Sequence, residues 1–473
     1  MKRIFTLFFL LLFFISVNFG QGKRIDFVEY DLENGLHVIL HQDNSTPIVN
    51  FSVLYHVGSK NEQPNRTGFA HFFEHLMFEG SDNIDRGEYF KYVTNNGGTN
   101  NAFTSFDFTY YYEILPSNQF DLGLWLESER MMHLKVDSIG VETQRKVVKE
   151  ERKQTLENRP YGSILEQIFS HAYKVHPYRW IPIGSAQYID QATLSEFMDF
   201  YKTYYVPNNA CLVLAGDFEI EEAKKEIEKY FGEIPRGTKH IYRPNAKSVA
   251  KRFAKMGIKQ KEEVELKDIV EPKQTEEIRD IVYDNIQLPA VIQAYHMPAQ
   301  GEKDYYAFQM LSTLLSGGNS SRIQKQIVDK KQLAVGAAAI PLPLEDPGLF
   351  ITYAIANMGV KPEDLEKEID IEVEKVKNEL ISDKEFQKLR NQIENKFLSK
   401  NSSVSSIAQE LATYYTLFGN TNLINTDLEN YLNVTKEDIQ RVAKQYLTKE
   451  NRTVLYYLPK SQKPADNKNL DNK

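Results

Sequence analysis

The chain has 473 residues and only one cysteine, Cys211, so it can form no internal disulfide. A cysteine-built zinc site is excluded as well, because such sites need several thiolates. An excess of basic charge is also missing. Lys and Arg number 57 against 65 Asp and Glu, which leaves a formal net charge of −8. A nucleic-acid binder shows the opposite balance, concentrated on one face, so that class is set aside. Long apolar runs are scarce too. The one candidate runs from Ile4 to Val17, behind Lys2 and Arg3 and ahead of Asn18, Phe19, Gly20 and Gln21. That is the pattern of a secretory signal peptide, assigned to residues 1–20. The run falls short of the roughly 18–20 apolar residues of a spanning helix, and an uncleaved anchor is the alternative. No cysteine follows it, which argues against a lipoprotein anchor. The expectation is a secreted or periplasmic protein with no span beyond that segment.

What remains is ordinary globular composition, 41% hydrophobic and 26% charged, in a chain long enough for two or three domains. Two segments vary one theme. PIVNFSVLYHVGSKNE (Pro47–Glu62) and LPAVIQAYHMPAQGEKD (Leu288–Asp304) each place an apolar β-rich run before a Tyr-His pair, then a polar loop and an apolar helix. Similarity at so long a spacing predicts duplicated domains rather than a short-repeat solenoid. Asn34-Gly35 between Val28–Leu32 and Leu36–Leu40 signals a hairpin. Strands mixed with helices predict an α+β chain of two homologous domains, each a mostly antiparallel sheet with helices packed on one side. The expected division is an N-terminal domain over 24–237, a Lys/Glu-rich linker over 238–277, a C-terminal domain over 278–460 and a disordered tail over 461–473.

His71, Glu74 and His75 of HFFEH lie on one turn of a predicted helix that Thr67 caps and Gly80 stops. Residues four apart share a helix face, so both imidazoles can reach one ion. Neutral imidazole is a good zinc ligand. Glu74 points near the same ion and can serve as general base toward an attacking water. The bland alternative is two surface histidines beside a solvated glutamate. Against it, Phe72, Phe73, Leu76, Met77 and Phe78 make the helix apolar almost all round, and buried His and Glu need partners. A catalytic zinc usually takes three protein ligands. The helix TQRKVVKEERKQTLEN, capped by Thr143 and ended by Asn158-Arg159-Pro160, offers Glu150 and Glu151. Glu151 shares a face with Val147, Val148 and Thr155, the side expected to pack inward, whereas Glu150 has Val147 at one neighbouring position but also Lys146, Lys153 and Gln154. Helix face favours Glu151.

HFFEHLMFEGS followed by RKVVKEE resembles the pitrilysin/insulinase family of zinc peptidases, which carry the zinc motif in inverted order. GGTNNAFTSFDFTYYYEILP, HPYRWIPIGSAQYI, YYVPNNACLVLAGDF and LSTLLSGGNSSRIQKQI extend the likeness along almost the whole chain after the signal segment. The resemblance implies two homologous domains per chain, and two such chains, or one of double length, closing like a clam shell around short or unfolded peptides. It implies one Zn²⁺ per chain held by His71, His75 and Glu151, with Glu74 as base. It implies that a substrate strand adds to the edge at Asn101, Ala102 and Phe103.

Two departures stand out. The family often has a supporting glutamate seven residues before the third ligand; here that place is Gln144, expected to act as a hydrogen-bonding support without charge. Active members also draw an Arg and a Tyr from the second domain of the completed shell, and the aligned places here are Val328 and Val335. Some bacterial members are similar: one chain carries HxxEH and a sister chain carries the Arg/Tyr pair. Either the chain is a weak enzyme or a different subunit supplies the pair; the favoured expectation is a heterodimer with a metal-free paralogue, with a homodimer as the second possibility. The expected activity is that of a zinc metalloendopeptidase, and the rival class is a scaffold subunit that kept the fold without the chemistry.

Overall fold

The computed structural model describes residues 24–239 and 269–464, together with Ile241 and Lys251. The expected signal segment, most of the linker and most of the tail lie outside the described residues. The first sheet is built from β1 (Val28–Asp31), β2 (His37–Gln42), β3 (Ile48–Tyr55), β4 (Thr99–Thr104), β5 (Thr109–Pro116) and β6 (Ala210–Gly216), in the order β1-β2-β6-β3-β5-β4. The second contains β7 (Ile278–Asp284), β8 (Ala290–His296), β9 (Ala334–Leu342), β10 (Leu349–Ala356) and β11 (Arg452–Pro459), in the order β7-β11-β8-β10-β9. Among the described residues only β2–β6 and β7–β11 are parallel pairs. The two orders superpose strand for strand, β2 on β7, β6 on β11, β3 on β8, β5 on β10 and β4 on β9, with β1 extra. The duplicated segments of the sequence are β3 and β8 with the helices that follow them. The Asn34-Gly35 hairpin forms, with Gly35 at φ +89° and the Asn34 side chain accepting from the Leu36 N–H.

Helices that position the site or the cores are α1 (Phe69–Leu76), α2 (Ser138–Arg152), α3 (Ile164–Ala172), α4 (Leu194–Tyr204), α5 (Ile220–Phe231), α6 (Lys303–Ser316), α7 (Pro362–Asn378), α8 (Val404–Phe418) and α9 (Lys436–Tyr446). Strand β6, ACLVLAG, is apolar at every position and buried throughout. Side chains alternate between sheet faces, so such a strand must be covered on both sides. It is. Leu212 and Leu214 join Phe51, Val53, Phe72 and Ile227 in a core under the helices of the first half. Cys211, Val213 and Ala215 face the other way, against Ile407, Ala408 and Leu411 of α8. That helix belongs to the second half of the chain. Reciprocally, Ile168, Phe169 and Ala172 of α3, from the first half, cover Ile292, Ile351 and Leu455 on the back of the second sheet. Each half thus carries its own helices on one face and takes a helix of the other half on the second face. Each fully buried aliphatic or Phe side chain contributes about 1.5–3 kcal/mol, so the halves are not separable at small cost.

The seam between the halves is polar as well. Lys60 is fully buried and lies 2.8 Å from Asp107 while also pairing with Glu345 of the second half. Burial disfavours its cation, but Asp107, Glu345 and Asp346 together hold Lys60 above its ordinary value. The Tyr-His pairs meet this seam from opposite sides: His56 Nε2 is 2.9 Å from Glu345, and His296 Nε2 is 2.9 Å from the Ala172 carbonyl. Asn209 and Asn451 donate to the carbonyls of His56 and His296 at 3.4 and 2.9 Å and to those of Tyr204 and Tyr446 at 2.8 Å each, one bracing pattern used twice. No helix among the described residues is long and apolar enough to cross a membrane.

Candidate metal centre

Helix α1 is eight residues long, and its apolar stripe decides which way the rest points. Phe69, Phe72, Phe73 and Leu76 are buried, and the Phe69 and Phe72 rings stack on Phe197 of α4 with centroids 4.6 and 4.5 Å apart. With that stripe fixed, His71, Glu74 and His75 share the remaining face. The helix starts and stops differently from the sequence expectation. Its N-cap is Gly68 rather than Thr67, because the Thr67 hydroxyl instead accepts from the Ser185 N–H at 3.1 Å. It ends at Leu76, four residues before Gly80.

Helix α2 brings the carboxylates. It begins at Ser138 with Asp137 as N-cap, not at Thr143, whose hydroxyl donates back to the Ile139 carbonyl inside the helix. After Arg152 it widens into a π turn over Lys153–Glu157, and the helical run ends at Asn158. Glu151 Oε2 lies 3.1 Å from His75 Nε2 and 3.5 Å from His71 Nε2. One ligand atom from each of His71, His75 and Glu151 falls within 4.8 Å of the others, the only such group among the described residues. Glu150 points to solvent and accepts from Gln154 at 3.1 Å. The helix-face argument therefore names the carboxylate that meets the histidines, although only one of its valine supports is buried: Val148 is 1% exposed and Val147 is 43% exposed.

Does this trio fit a zinc ion? Donor atoms on a tetrahedron with 2.0–2.1 Å bonds sit about 3.3 Å apart. The two Glu151–histidine distances bracket that value, and two imidazoles with one carboxylate is a catalytic zinc donor set. The trio fits. In the protein alone, hydrogen bonding from His71, then from His75, holds the Glu151 carboxyl well below the usual carboxylate range. His71 Nδ1 is buried without a hydrogen-bond partner among the described residues, so the packing of α1 orients that ring.

Glu74 is held from the sheet. Thr104, the last residue of β4, donates from its hydroxyl to Glu74 Oε2 at 2.7 Å. The sequence reading missed Thr104; only the strand pairing brings it to α1. Gln144 donates to Glu79, which also accepts from Arg86 at 2.6 Å, and its own carbonyl oxygen is buried without a partner. Its amide thus supports the turn after α1 and makes no bond to His71, His75 or Glu151. Asn101, Ala102 and Phe103 lie on β4, the outermost strand of the first sheet, which pairs only with β5. Asn101 is exposed and its side chain accepts from the Ala102 N–H at 2.9 Å, while Phe103 packs on Phe108 and Tyr110. In the second half, Val328 packs against the core and Val335 is exposed at the start of β9.

Comparison with known proteins gives this arrangement a family. The model for the insulinase family, peptidase family M16, matches residues 37–181, which contain the whole trio, and the model for the M16 inactive domain matches residues 191–393. The zinc protease PqqE of Helicobacter pylori is 34% identical over 437 residues, covering 90% of this chain and 92% of that one. The chain belongs to peptidase family M16. A protease from Helicobacter pylori of known structure superposes with a TM-score of 0.83 at 31% identity, over 92% of this chain and 100% of that one. The periplasmic protease PqqL of Escherichia coli shares the fold, with a TM-score of 0.71 at 18% identity, and there this M16 chain spans 48% of the longer protein. The expected α+β fold of two homologous domains is thus the M16 fold.

Proposed function

We propose that the chain is a zinc metalloendopeptidase acting on oligopeptides or unfolded peptides. The observation that carries this reading is the convergence of His71, His75 and Glu151 within 4.8 Å beside a Glu74 oriented by Thr104. A bound zinc acts as a Lewis acid and lowers the pKa of water from 15.7 to about 7. The rest belongs to the chain. Glu74 takes a proton from the attacking water and returns it to the leaving amine. Thr104 occupies one carboxylate oxygen of Glu74 and so fixes the direction of the other. The edge of β4 at Asn101, Ala102 and Phe103 receives the substrate as an added strand, with main-chain bonds giving affinity and side-chain pockets giving preference.

The working enzyme is the metal-bearing half of a two-chain shell, and the Arg/Tyr donors come from a metal-free paralogue. Val328 and Val335 support this reading, because neither can donate a hydrogen bond and a missing oxyanion donor costs about 10²–10³ in rate. The match to half the length of PqqL supports a shell of two such chains. The basic-then-apolar N-terminus supports export to the periplasm or beyond. The test is zinc content together with peptide-library cleavage, by this chain alone and with its co-purified partner. Bound zinc with cleavage lost in Glu74→Gln supports the peptidase. Purified protein that takes up no zinc supports the scaffold reading. Full activity from the homodimer overturns the paralogue.

A further inference from the structure

We propose that Glu62 is a positioning residue for the metal-bearing helix, a detached cap that holds the first turn of α1 and with it His71. The inference rests on the zinc reading only for its consequence; the capping itself stands on geometry.

Helix α1 has two turns, far below the length at which an isolated helix holds itself together. His71 sits in its first turn, third from the cap, so fraying there moves a ligand. An N-terminus leaves four backbone N–H groups without helical partners. In α1 these belong to Gly68, Phe69, Ala70 and His71, since the first intrahelical bond is Phe72 N–H to the Gly68 carbonyl. Helices ordinarily meet this need with a Ser, Thr, Asp or Asn at the cap position. Here the cap position cannot hold one. Gly68 has φ +98°, and a Cβ built there falls 2.9 Å from the Ile183 carbonyl oxygen and 2.9 Å from Ile189 Cδ1. Thr67, next in line, is engaged with Ser185.

The carboxylate comes from six residues upstream. Glu62 follows the short turn Ser59–Asn61 and accepts from Gly68 N–H at 2.9 Å through Oε2 and from Ala70 N–H at 2.8 Å through Oε1. One side chain thus satisfies two of the four orphan donors of the helix. Glu62 is 3% exposed, closed in beside Trp180, whose indole donates to the Ser59 carbonyl at 2.8 Å. Burial pushes its carboxyl up to about 8, while the Ala70 and Gly68 N–H groups pull it back down. A buried carboxyl is costly unless hydrogen-bond donors such as these backbone N–H groups satisfy it.

The test compares wild type with Glu62→Ala and Glu62→Gln. Amide hydrogen exchange of the metal-free proteins reads the helix, zinc competition titration reads the ligand, and a kcat and KM pair on one peptide reads the base. In Glu62→Ala, exchange quickens at Gly68–Phe72 with the sheets unchanged. Zinc affinity falls about 10–100-fold, the usual cost of losing support behind a ligand. The kcat falls more than KM rises. Glu62→Gln keeps one acceptor oxygen and lies between Ala and wild type in all three. If the alanine variant does not fold, the glutamine variant decides by the same readouts. Wild-type exchange at Gly68–Phe72 in a folded variant, with zinc affinity within twofold, overturns the proposal. Wild-type protein that takes up no zinc while exchange still responds to the substitutions overturns the zinc reading and leaves the cap in place.

Discussion

The two halves of the chain lay five strands in the same order and then differ in the helix that follows the Tyr-His strand. In the second half that helix is α6, fourteen residues whose Tyr305, Tyr306, Phe308, Met310, Leu311, Leu314 and Leu315 are all buried. Burial anchors it along its length, Tyr306 donates to Asp427 at 2.6 Å and Arg441 pairs with Asp304 at 2.6 Å, and it carries no histidine. In the first half it is α1, eight residues with His71, Glu74 and His75 on one face. A helix that keeps three polar groups on its working face has less apolar surface to anchor it, so the anchoring comes from outside: Glu62 at its start, Thr104 at Glu74 and Phe197 beneath. The same topology thus serves as ballast in one half and as a site in the other. The difference is what the supported helix carries: a face of His71, Glu74 and His75 in one half and buried aromatic and aliphatic residues in the other.

The comparison can be broken most completely at Glu74. Glu74→Gln should reduce peptide hydrolysis about 10²–10⁴-fold while zinc content stays unchanged, leaving both halves without a base. Retained cleavage would remove Glu74 from the chemistry. The next effect is on the seam. Lys60→Met leaves Asp107 and Glu345 buried and facing each other, and denaturant unfolding should report a loss of about 3–5 kcal/mol. An unchanged midpoint would mean that the Lys60 pairing adds nothing to the seam.

The halves can also be drawn closer in function. Val328→Arg combined with Val335→Tyr should raise the kcat of the chain without its partner by about 10² if missing donors limit it, measured on a single peptide. No gain would place the limitation elsewhere. Thr104→Val should lower kcat about 10-fold with KM within twofold, since a hydrogen bond to a charged group is lost and substrate contacts are kept. A change confined to KM would assign Thr104 to binding.

A separate effect is on pH dependence. The folded state holds the Glu62 proton more tightly than the unfolded chain does, with the carboxyl raised from 4.5 to about 8. The stability this group contributes is therefore present below about pH 4.5 and is lost as pH rises through about 8. Glu62→Gln cannot titrate, so the difference in unfolding free energy between it and wild type should change over that interval and be flat outside it. A difference that is flat throughout would show that Glu62 does not titrate there.

Much of the site was legible before the fold was. The i, i+4 spacing of His71 and His75 needs only a helix to bring two imidazoles together, and the apolar flanks Phe72, Phe73, Leu76, Met77 and Phe78 pointed to a buried helix without saying which face was inward. Glu151 over Glu150 also followed from helix geometry, with Val148 as its true support and Val147 not. The duplicated Tyr-His strands pointed to two like halves, and the strand orders agree. Capping was read less well. Thr67 and Thr143 have the right side chains for caps, yet each found a different partner, one in the Ser185 loop and one in its own helix. Side-chain oxygens near a helix start compete among several donors, and local sequence does not rank them. Gln144 was expected behind the third ligand and instead reaches Glu79, which no spacing rule indicated.

By itself the sequence determined the short-range matters: which residues share a turn, which strands must be covered on both faces, and that no cysteine chemistry is available. These follow from the fixed periods of helix and strand. The tertiary structure alone decided the long-range ones. It brought Glu151 across 76 positions to His75, set Thr104 against Glu74, carried Glu62 to the start of α1, and laid α3 and α8 on each other's sheets. Those contacts depend on how packed elements meet, and the distance between two side chains in space is not a function of their separation along the chain.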